Sequence, residues 1–171
     1  MSVNRSCDDG EIFLYRGREL RLVTLPPEEG SPVAARCRVL LSQDGESMFL
    51  RSSGKEDRRG LLLMWYTAMT EDIIHSLVPM WSKKLSVRPR LANVKYAKTR
   101  WGSCSQSCAL FFNSRLSMLS DEVAEYVVVH ELCHIKQMNH SRAFWDEVES
   151  ALPGSKALRR KLREEERAAR L

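Results

Sequence analysis

The stretch HELCHIKQMNH, residues 130–140, contains three of the four histidines of this 171-residue chain. His130 and His134 are four positions apart, and Glu131 follows the first of them. In an α-helix this spacing places the two imidazoles about 40° apart on one face, whereas in a β-strand they would lie about 13 Å apart, too far to share one ion. The spacing therefore predicts a buried helix and outweighs the strand propensity of the three valines at residues 127–129.

The third histidine of the stretch requires a change of chain direction. On a continued helix, His140 would lie about 80° around from His130 and roughly 15 Å farther along the axis. Asn139 tolerates the left-handed backbone that ends a helix, and Ser141 can cap a following helix. The sequence thus predicts that His140 lies in a tight bend between two helices.

Three neutral imidazoles form the ligand set of a catalytic zinc site, because they leave the fourth tetrahedral position for water. The charge of the ion lowers the pKa of that water to about 7. Glu131 can accept the proton of the water while its oxygen attacks an electrophilic centre, and can then pass the proton to the leaving group. We therefore predict zinc as the cofactor, bound by His130, His134 and His140, with Glu131 as the general base.

Further motifs surround this stretch in the C-terminal half of the chain. They are TRWGSCS (Thr99–Ser105), LFFNSRL (Leu110–Leu116), the longer EYVVVHELCHIKQMNHSRAFW (Glu125–Trp145) and Leu152-Pro153. Together they resemble the YgjP-like metal-dependent hydrolases, which are related to the SprT-like and WLM zinc metallopeptidases. The resemblance implies a small zincin-like α+β fold of the minigluzincin type, with the same three histidines as zinc ligands, Glu131 as the catalytic glutamate and the TRWGSC loop near the metal. Metzincins share the histidine spacing but carry glycine at the position of Gln137, so their turn is not transferred.

The length of the chain fits one domain that buries most of its apolar surface. We predict a flexible N-terminus at residues 1–10 and a single domain at 11–171, divided into a β-rich part (11–54), a catalytic core (55–154) and a basic C-terminal helix (155–171). No stretch approaches the roughly 18 apolar residues that cross a bilayer, and the first ten residues have no signal-peptide core. These patterns predict a cytoplasmic protein without membrane contact.

The elements of this domain follow from local patterns. Two β-hairpins are predicted around the turns Arg16-Gly17 and Asp44-Gly45, followed by a long helix from Glu56 to about Val78. Strands at 90–98 and 109–113 flank the TRWGSC loop and are predicted to form a short antiparallel sheet. Zincins typically hold the substrate backbone against an edge strand, and Ala109–Asn113 is our candidate for that strand.

The formal charge of +5 is unevenly distributed, because residues 73–120 contain eight lysines and arginines and no acidic residue. This segment predicts an electropositive surface that attracts anionic ligands. Three functions stay open: a zinc peptidase, a metal-dependent hydrolase of nucleoside triphosphates or other phosphoesters, and a nucleic-acid-associated protein with a zinc site. The peptidase is favoured, since the segment lacks the carboxylates that magnesium and manganese sites recruit. Nothing in the sequence specifies an oligomeric state.

Arg100 in the TRWGSC motif is the predicted catalytic group that stabilises developing negative charge. The alternative for Arg100 is a structural salt bridge to Glu125 or Asp121. Weaker candidates for the same catalytic role are Asn113, Tyr126 and Arg142.

Overall fold

The computed structural model describes residues 6–26, 39–52 and 58–171. The first half of the predicted flexible N-terminus, residues 1–5, and the predicted helix start at Glu56 lie outside these ranges. Cys7, in the described part of the same N-terminal segment, is fully buried. Among the described residues, no helix combines the length and the apolar character needed to cross a bilayer.

The predicted N-terminal hairpins form and join into one four-stranded sheet. Strand β1 (Ile12–Tyr15) pairs antiparallel with β2 (Arg18–Leu25), and β3 (Val39–Leu41) pairs antiparallel with β4 (Ser47–Arg51). The first turn, Arg16-Gly17, has positive φ at both residues, 50° and 75°, which is the conformation of a tight two-residue hairpin. Strands β2 and β4 pair with each other in parallel and so join the two hairpins, which gives the strand order β1-β2-β4-β3.

Helix α1, Arg58–Leu85, continues past the predicted end at Val78 and through Pro79. Pro79 is exposed, and the buried stripe of Val78, Trp81 and Leu85 keeps its helical spacing on the opposite side. Burial of this stripe offsets the backbone hydrogen bond that proline removes, so the helix ends later than local propensity indicates.

The second sheet contains β5 (Leu91–Lys95), β6 (Gly102–Cys104) and β7 (Ala109–Asn113) in the order β5-β7-β6. It is mixed, because β7 is parallel to β5 and antiparallel to β6. The predicted antiparallel sheet is therefore corrected to a mixed sheet. The TRWGSC segment supplies the short strand that reverses the chain between β5 and β7. The prediction that Ala109–Asn113 is an edge strand is wrong: its apolar side chains suit the central position that it occupies.

Three helices complete the domain: α2 (Asp121–Cys133), α3 (Arg142–Ala151) and α4 (Ser155–Glu165). Helix α2 packs against α1, β6, α3 and α4, and its valines at 127–129 are buried. Burial on almost every side allows β-branched residues in a helix, as the histidine spacing predicts. The basic C-terminal helix ends at Glu165 rather than Leu171, and the last residue turns back into the core with 5% of its surface exposed. The predicted α+β class is confirmed.

Candidate active site

Three imidazoles converge at the end of α2 and in the bend that follows it. His130 lies in the last turn of α2, and His134 directly follows the helix with helical backbone angles of −62° and −21°. The metal-binding atoms of His130, His134 and His140 all lie within 4.8 Å of one another, and the Nε2 atoms of His130 and His140 are 3.1 Å apart. The structure therefore brings together the three residues that the spacing predicts as ligands.

The bend that carries His140 is built by side chains rather than by a left-handed residue. Asn139 is not among the described residues with positive φ, so the predicted left-handed conformation at this position is wrong. Its Oδ1 atom accepts a hydrogen bond from the backbone N–H of Ser141 at 3.3 Å. The Ser141 hydroxyl in turn accepts from the N–H of Phe144 at 3.4 Å and caps α3, as predicted. Local hydrogen bonding by asparagine thus replaces the strained backbone.

Two aromatic residues in the first turn of α3 pack against the imidazoles. Phe144 is fully buried, and its ring centroid lies 4.4 Å from that of His134 and 4.9 Å from those of His130 and His140. Trp145 stacks on His140 at 5.4 Å. Sequence reasoning assigned no role to either ring, although both lie within five residues of the third histidine. Their packing restricts the rotamers of all three imidazoles.

Burial keeps the imidazoles of His130 and His134 neutral. It lowers the pKa of His130 to about 3, and the neighbouring His134 and His140 act in the same direction. Burial also lowers the pKa of His134, whose Nδ1 atom lies 3.0 Å from the carbonyl oxygen of Gln137. This contact fixes the ring and leaves Nε2 available as a ligand atom. Neutral nitrogen donors in such close approach fit a zinc ion.

Glu131 lies against β6, and Gly102 leaves the space for its side chain. The glutamate is only 6% exposed. A Cβ atom at residue 102 would lie 2.6 Å from Cγ and 2.7 Å from Oε1 of Glu131, well inside van der Waals contact. Burial raises the pKa of Glu131 to about 8, and the positive charge of Arg100 opposes this shift. Sequence reasoning missed Gly102, for which the available signal was a lone glycine in the TRWGSC motif.

We expect Gly102→Ala to lower turnover by roughly 100-fold, because the new methyl group displaces the flexible end of the Glu131 side chain and a misplacement of about 1 Å can cost this much. The fold should survive with a moderate loss of stability, on the order of 1–3 kcal/mol. Turnover, melting temperature and zinc content should be measured together, with Ser103→Ala in the same strand as the control. Wild-type turnover in Gly102→Ala would show that this glycine does not set the position of the carboxyl group.

The salt bridges considered for Arg100 do not form. Asp121 instead pairs with Arg16, with 2.6 Å between Oδ1 and Nε, and Glu125 accepts a hydrogen bond from the indole N–H of Trp81 at 2.8 Å. Within the described part of the chain, the exposed guanidinium of Arg100 has no carboxylate within ion-pair distance. The structural alternative for Arg100 is therefore wrong, and its charge is free to act on the site.

Asn113 and Arg142, two of the weaker candidates for stabilising negative charge, occupy different places in the structure. The side-chain amide of Asn113 is buried and donates to the carbonyl oxygens of Ala97 (2.7 Å) and Arg100 (2.6 Å), so this residue shapes the loop before β6. Buried Arg115, which sequence reasoning missed, supports the same loop by donating to Ala97 and to Ala169 near the C-terminus. Arg142 is exposed and lies 3.8 Å from Asp146 in an ion pair, outside the cavity beside Glu131.

A cavity of about 290 Å³ opens beside His130 and Glu131. Its lining comes from the TRWGSC segment, α2, α3 and α4. The side chains that matter for its chemistry are those of Trp101, Tyr126, Trp145, Arg159 and Arg163. A substrate group placed here would lie next to the buried carboxyl group and the imidazole cluster.

Comparison with known families agrees with this geometry. The sequence model of the YgjP-like family, metallopeptidase domain, matches residues 2–165. The chain belongs to the YgjP-like metallopeptidase family. Membership confirms the resemblance stated from the sequence motifs and the predicted hydrolase class. For this YgjP-like domain, the imidazole set described above fits zinc, the predicted cofactor.

Two solved structures are similar to this YgjP-like domain. One is the metallopeptidase zymogen of Pyrococcus abyssi abylysin, with 21% identity, a TM-score of 0.49 and coverage of 60% of this chain and 99% of that chain. The other is the metallopeptidase zymogen of Methanocaldococcus jannaschii jannalysin, with 22% identity, a TM-score of 0.46 and coverage of 56% and 94%. The comparison with curated proteins gives no match.

Proposed function

We propose that this domain hydrolyses peptide bonds with His130, His134 and His140 as zinc ligands and Glu131 as the general base. The observation that carries the proposal is the convergence of three imidazoles within 4.8 Å beside a buried carboxyl group that lines a cavity. When bound, zinc supplies Lewis acidity, which polarises a carbonyl group and makes water more acidic at the site.

Glu131 moves the proton. Its carboxylate takes a proton from water as the water oxygen attacks the carbonyl carbon of the scissile peptide, and it returns this proton to the leaving nitrogen as the C–N bond breaks. Burial raises the pKa of Glu131 to about 8 in the absence of a metal ion, and the charge of bound zinc would lower it again and favour the carboxylate that accepts the proton. The products are a carboxylic acid and an amine, which ionise to a carboxylate and an ammonium group at neutral pH.

Strand β6 is our corrected candidate for the strand that holds the substrate backbone. It is an edge of the three-stranded sheet, where Ala109–Asn113 is central, and Gly102 at its start contacts Glu131. An extended peptide added to this edge would present its carbonyl groups close to the imidazole cluster. Arg100 lies on the loop that enters β6, and we assign to it the stabilisation of negative charge on the substrate oxygen.

The test is a screen of the zinc-loaded protein against casein, a peptide library and nucleoside triphosphates, with Glu131→Gln assayed in parallel. We expect cleavage of peptide substrates that disappears in the variant. Hydrolysis of a triphosphate that depends on Glu131, without cleavage of any peptide, would replace the peptidase with the nucleotide hydrolase considered from the sequence.

Binding of a nucleotide or nucleic acid through residues 73–120 is the alternative, which the exposed side chains of Lys95, Lys98 and Arg100 favour. If it is correct, the affinity for a labelled oligonucleotide should fall steeply between about 50 and 200 mM salt. Fluorescence anisotropy would measure this slope, and removing one phosphate-binding lysine with Lys98→Gln should reduce it by about 1. Binding that does not change with salt would exclude this segment as the contact surface.

The cytoplasmic location and the domain boundaries stay predictions from the sequence.

A further inference from the structure

The cavity beside Glu131 has a positive wall that no acidic residue neutralises. Arg159 and Arg163, one turn apart on α4, both line it. Across residues 6–26, 39–52 and 58–171, neither guanidinium forms an ion pair, whereas Lys161 on the same helix pairs with Glu122 and lies 3.6 Å from Glu165. The two arginines are therefore free to bind a ligand.

Two acidic groups at the end of α4 and just after it, Glu165 and Glu166, accept hydrogen bonds. Glu165 accepts hydrogen bonds from the backbone N–H and the hydroxyl of Ser120, at 2.9 and 2.7 Å. Glu166 accepts from the indole N–H of Trp101 at 3.3 Å. The carboxyl group in the cavity lining is that of Glu131, so the two arginines share the cavity with one carboxyl group.

Arg159 is held in a fixed relation to the imidazole cluster. Its guanidinium carbon lies 4.4 Å from the centroid of the Trp145 ring, in a cation–π contact, and Trp145 itself stacks on His140. Burial raises the pKa of the Tyr126 hydroxyl in the same cavity, and the charges of Arg159 and Arg163 oppose that shift. Both arginines line the cavity and are exposed to solvent.

We propose that this cavity is a subsite in which Arg159 and Arg163 bind a carboxylate of the substrate peptide, supplied by an acidic side chain or by the C-terminal carboxylate next to the scissile bond. The planar guanidinium matches a carboxylate with two parallel hydrogen bonds. The rings of Trp101, Tyr126 and Trp145 line the same cavity, in which Arg159 and Arg163 are themselves exposed to solvent. This subsite rests on the proposed peptidase function and adds a preference for acidic peptides to it.

Binding is tested first, on zinc-loaded protein that carries Glu131→Gln so that no substrate is consumed. The probes are otherwise uncharged hexapeptides in which one Glu is moved through every position, each with a Gln counterpart and each made with a free and an amidated C-terminus. Isothermal titration should show one position, or the free C-terminus, at which the carboxylate binds about 10- to 100-fold more tightly than its amide. The series with moved Glu distinguishes a side-chain carboxylate from a terminal one.

The ratio of the affinities for the carboxylate peptide and its amide should fall to about threefold or less in Arg163→Gln and in Arg159→Gln. The reason is that a charge-assisted hydrogen bond to the lost guanidinium accounts for most of this ratio. Arg160→Gln, an exposed arginine on the same helix outside the cavity lining, is the matched control and should keep the full preference. Because Arg159 contacts Trp145, zinc content is measured for every variant, and Arg163→Gln gives the result that a loosened metal site cannot mimic.

Equal affinity for every Glu and Gln pair and for both termini would overturn the subsite, as would a preference that survives both arginine substitutions. Hydrolysis by the wild-type protein separates this outcome from failure of the peptidase function. Cleavage without any carboxylate preference contradicts the subsite alone. A carboxylate preference in binding, lost in Arg163→Gln but without cleavage of any peptide, supports the anion site and contradicts the peptidase function.

Discussion

Glu131→Gln should retain zinc and the wild-type melting temperature while its peptide hydrolysis falls by at least roughly 100- to 10,000-fold, the contribution of a general base. The amide has nearly the shape of the carboxyl group and fits the same space against Gly102. It cannot accept the proton of the attacking water. The loss should therefore appear in kcat, with KM little changed, because the groups that bind the peptide are untouched.

The matched control for this variant is Glu71→Gln, which changes an exposed carboxylate on α1 that lies outside the cavity lining. It should keep wild-type turnover. Elemental analysis and thermal melting on both variants separate catalysis from folding. Near wild-type hydrolysis by Glu131→Gln would show that this glutamate is a structural residue and that another group transfers the proton.

The second large effect concerns His140→Ala, which should lower zinc affinity by more than about 100-fold, since changes that only reorient a ligand already cost 10- to 100-fold. The wild-type protein is expected to contain close to one zinc per chain. His140 is exposed and lies outside the regular helices, so its removal should leave α2 and α3 intact. Competition with a calibrated chelator measures the affinity, and elemental analysis measures the content.

His75→Ala is the control for this experiment, because His75 is the remaining histidine of the chain and is exposed on α1. It should bind zinc as the wild type does. If His140→Ala keeps wild-type affinity, the third ligand is a different residue. A wild-type protein that contains no transition metal after zinc supplementation would contradict the whole ligand set.

The parts of the fold that local chemistry determines could be predicted from the sequence. The helix that carries His130 and His134 was predicted against the strand propensity of its valines, because a shared ion requires helical spacing. Strand β6 could not be predicted in this way. Its residues, Gly102–Cys104, are small and polar, and they become a strand only because β7 provides a hydrogen-bonding partner. The central position of β7 depends on the same pairing.

The candidate site likewise has one part that the local sequence predicts and another part that depends on tertiary packing. The imidazole cluster arises from residues close in sequence, so the spacing of the histidines was sufficient to predict it. Gly102 and Arg163 line the same cavity from segments far apart in the chain. Their role follows from tertiary packing that no local pattern encodes. Phe144 is intermediate: its position after a capping serine was visible, but its contact with all three imidazoles required the fold of the bend.

The packing of Phe144 and Trp145 against the imidazoles has a consequence for the metal-free protein. In many small zinc domains the ion itself assembles its ligands, so chelation unfolds the chain. Here an apolar ring that belongs to the core, Phe144, contacts all three imidazoles and orders them without help from an ion. We therefore expect core packing to order the imidazoles before the metal binds, so that thermal melting of the chelated protein should still show the folding transition.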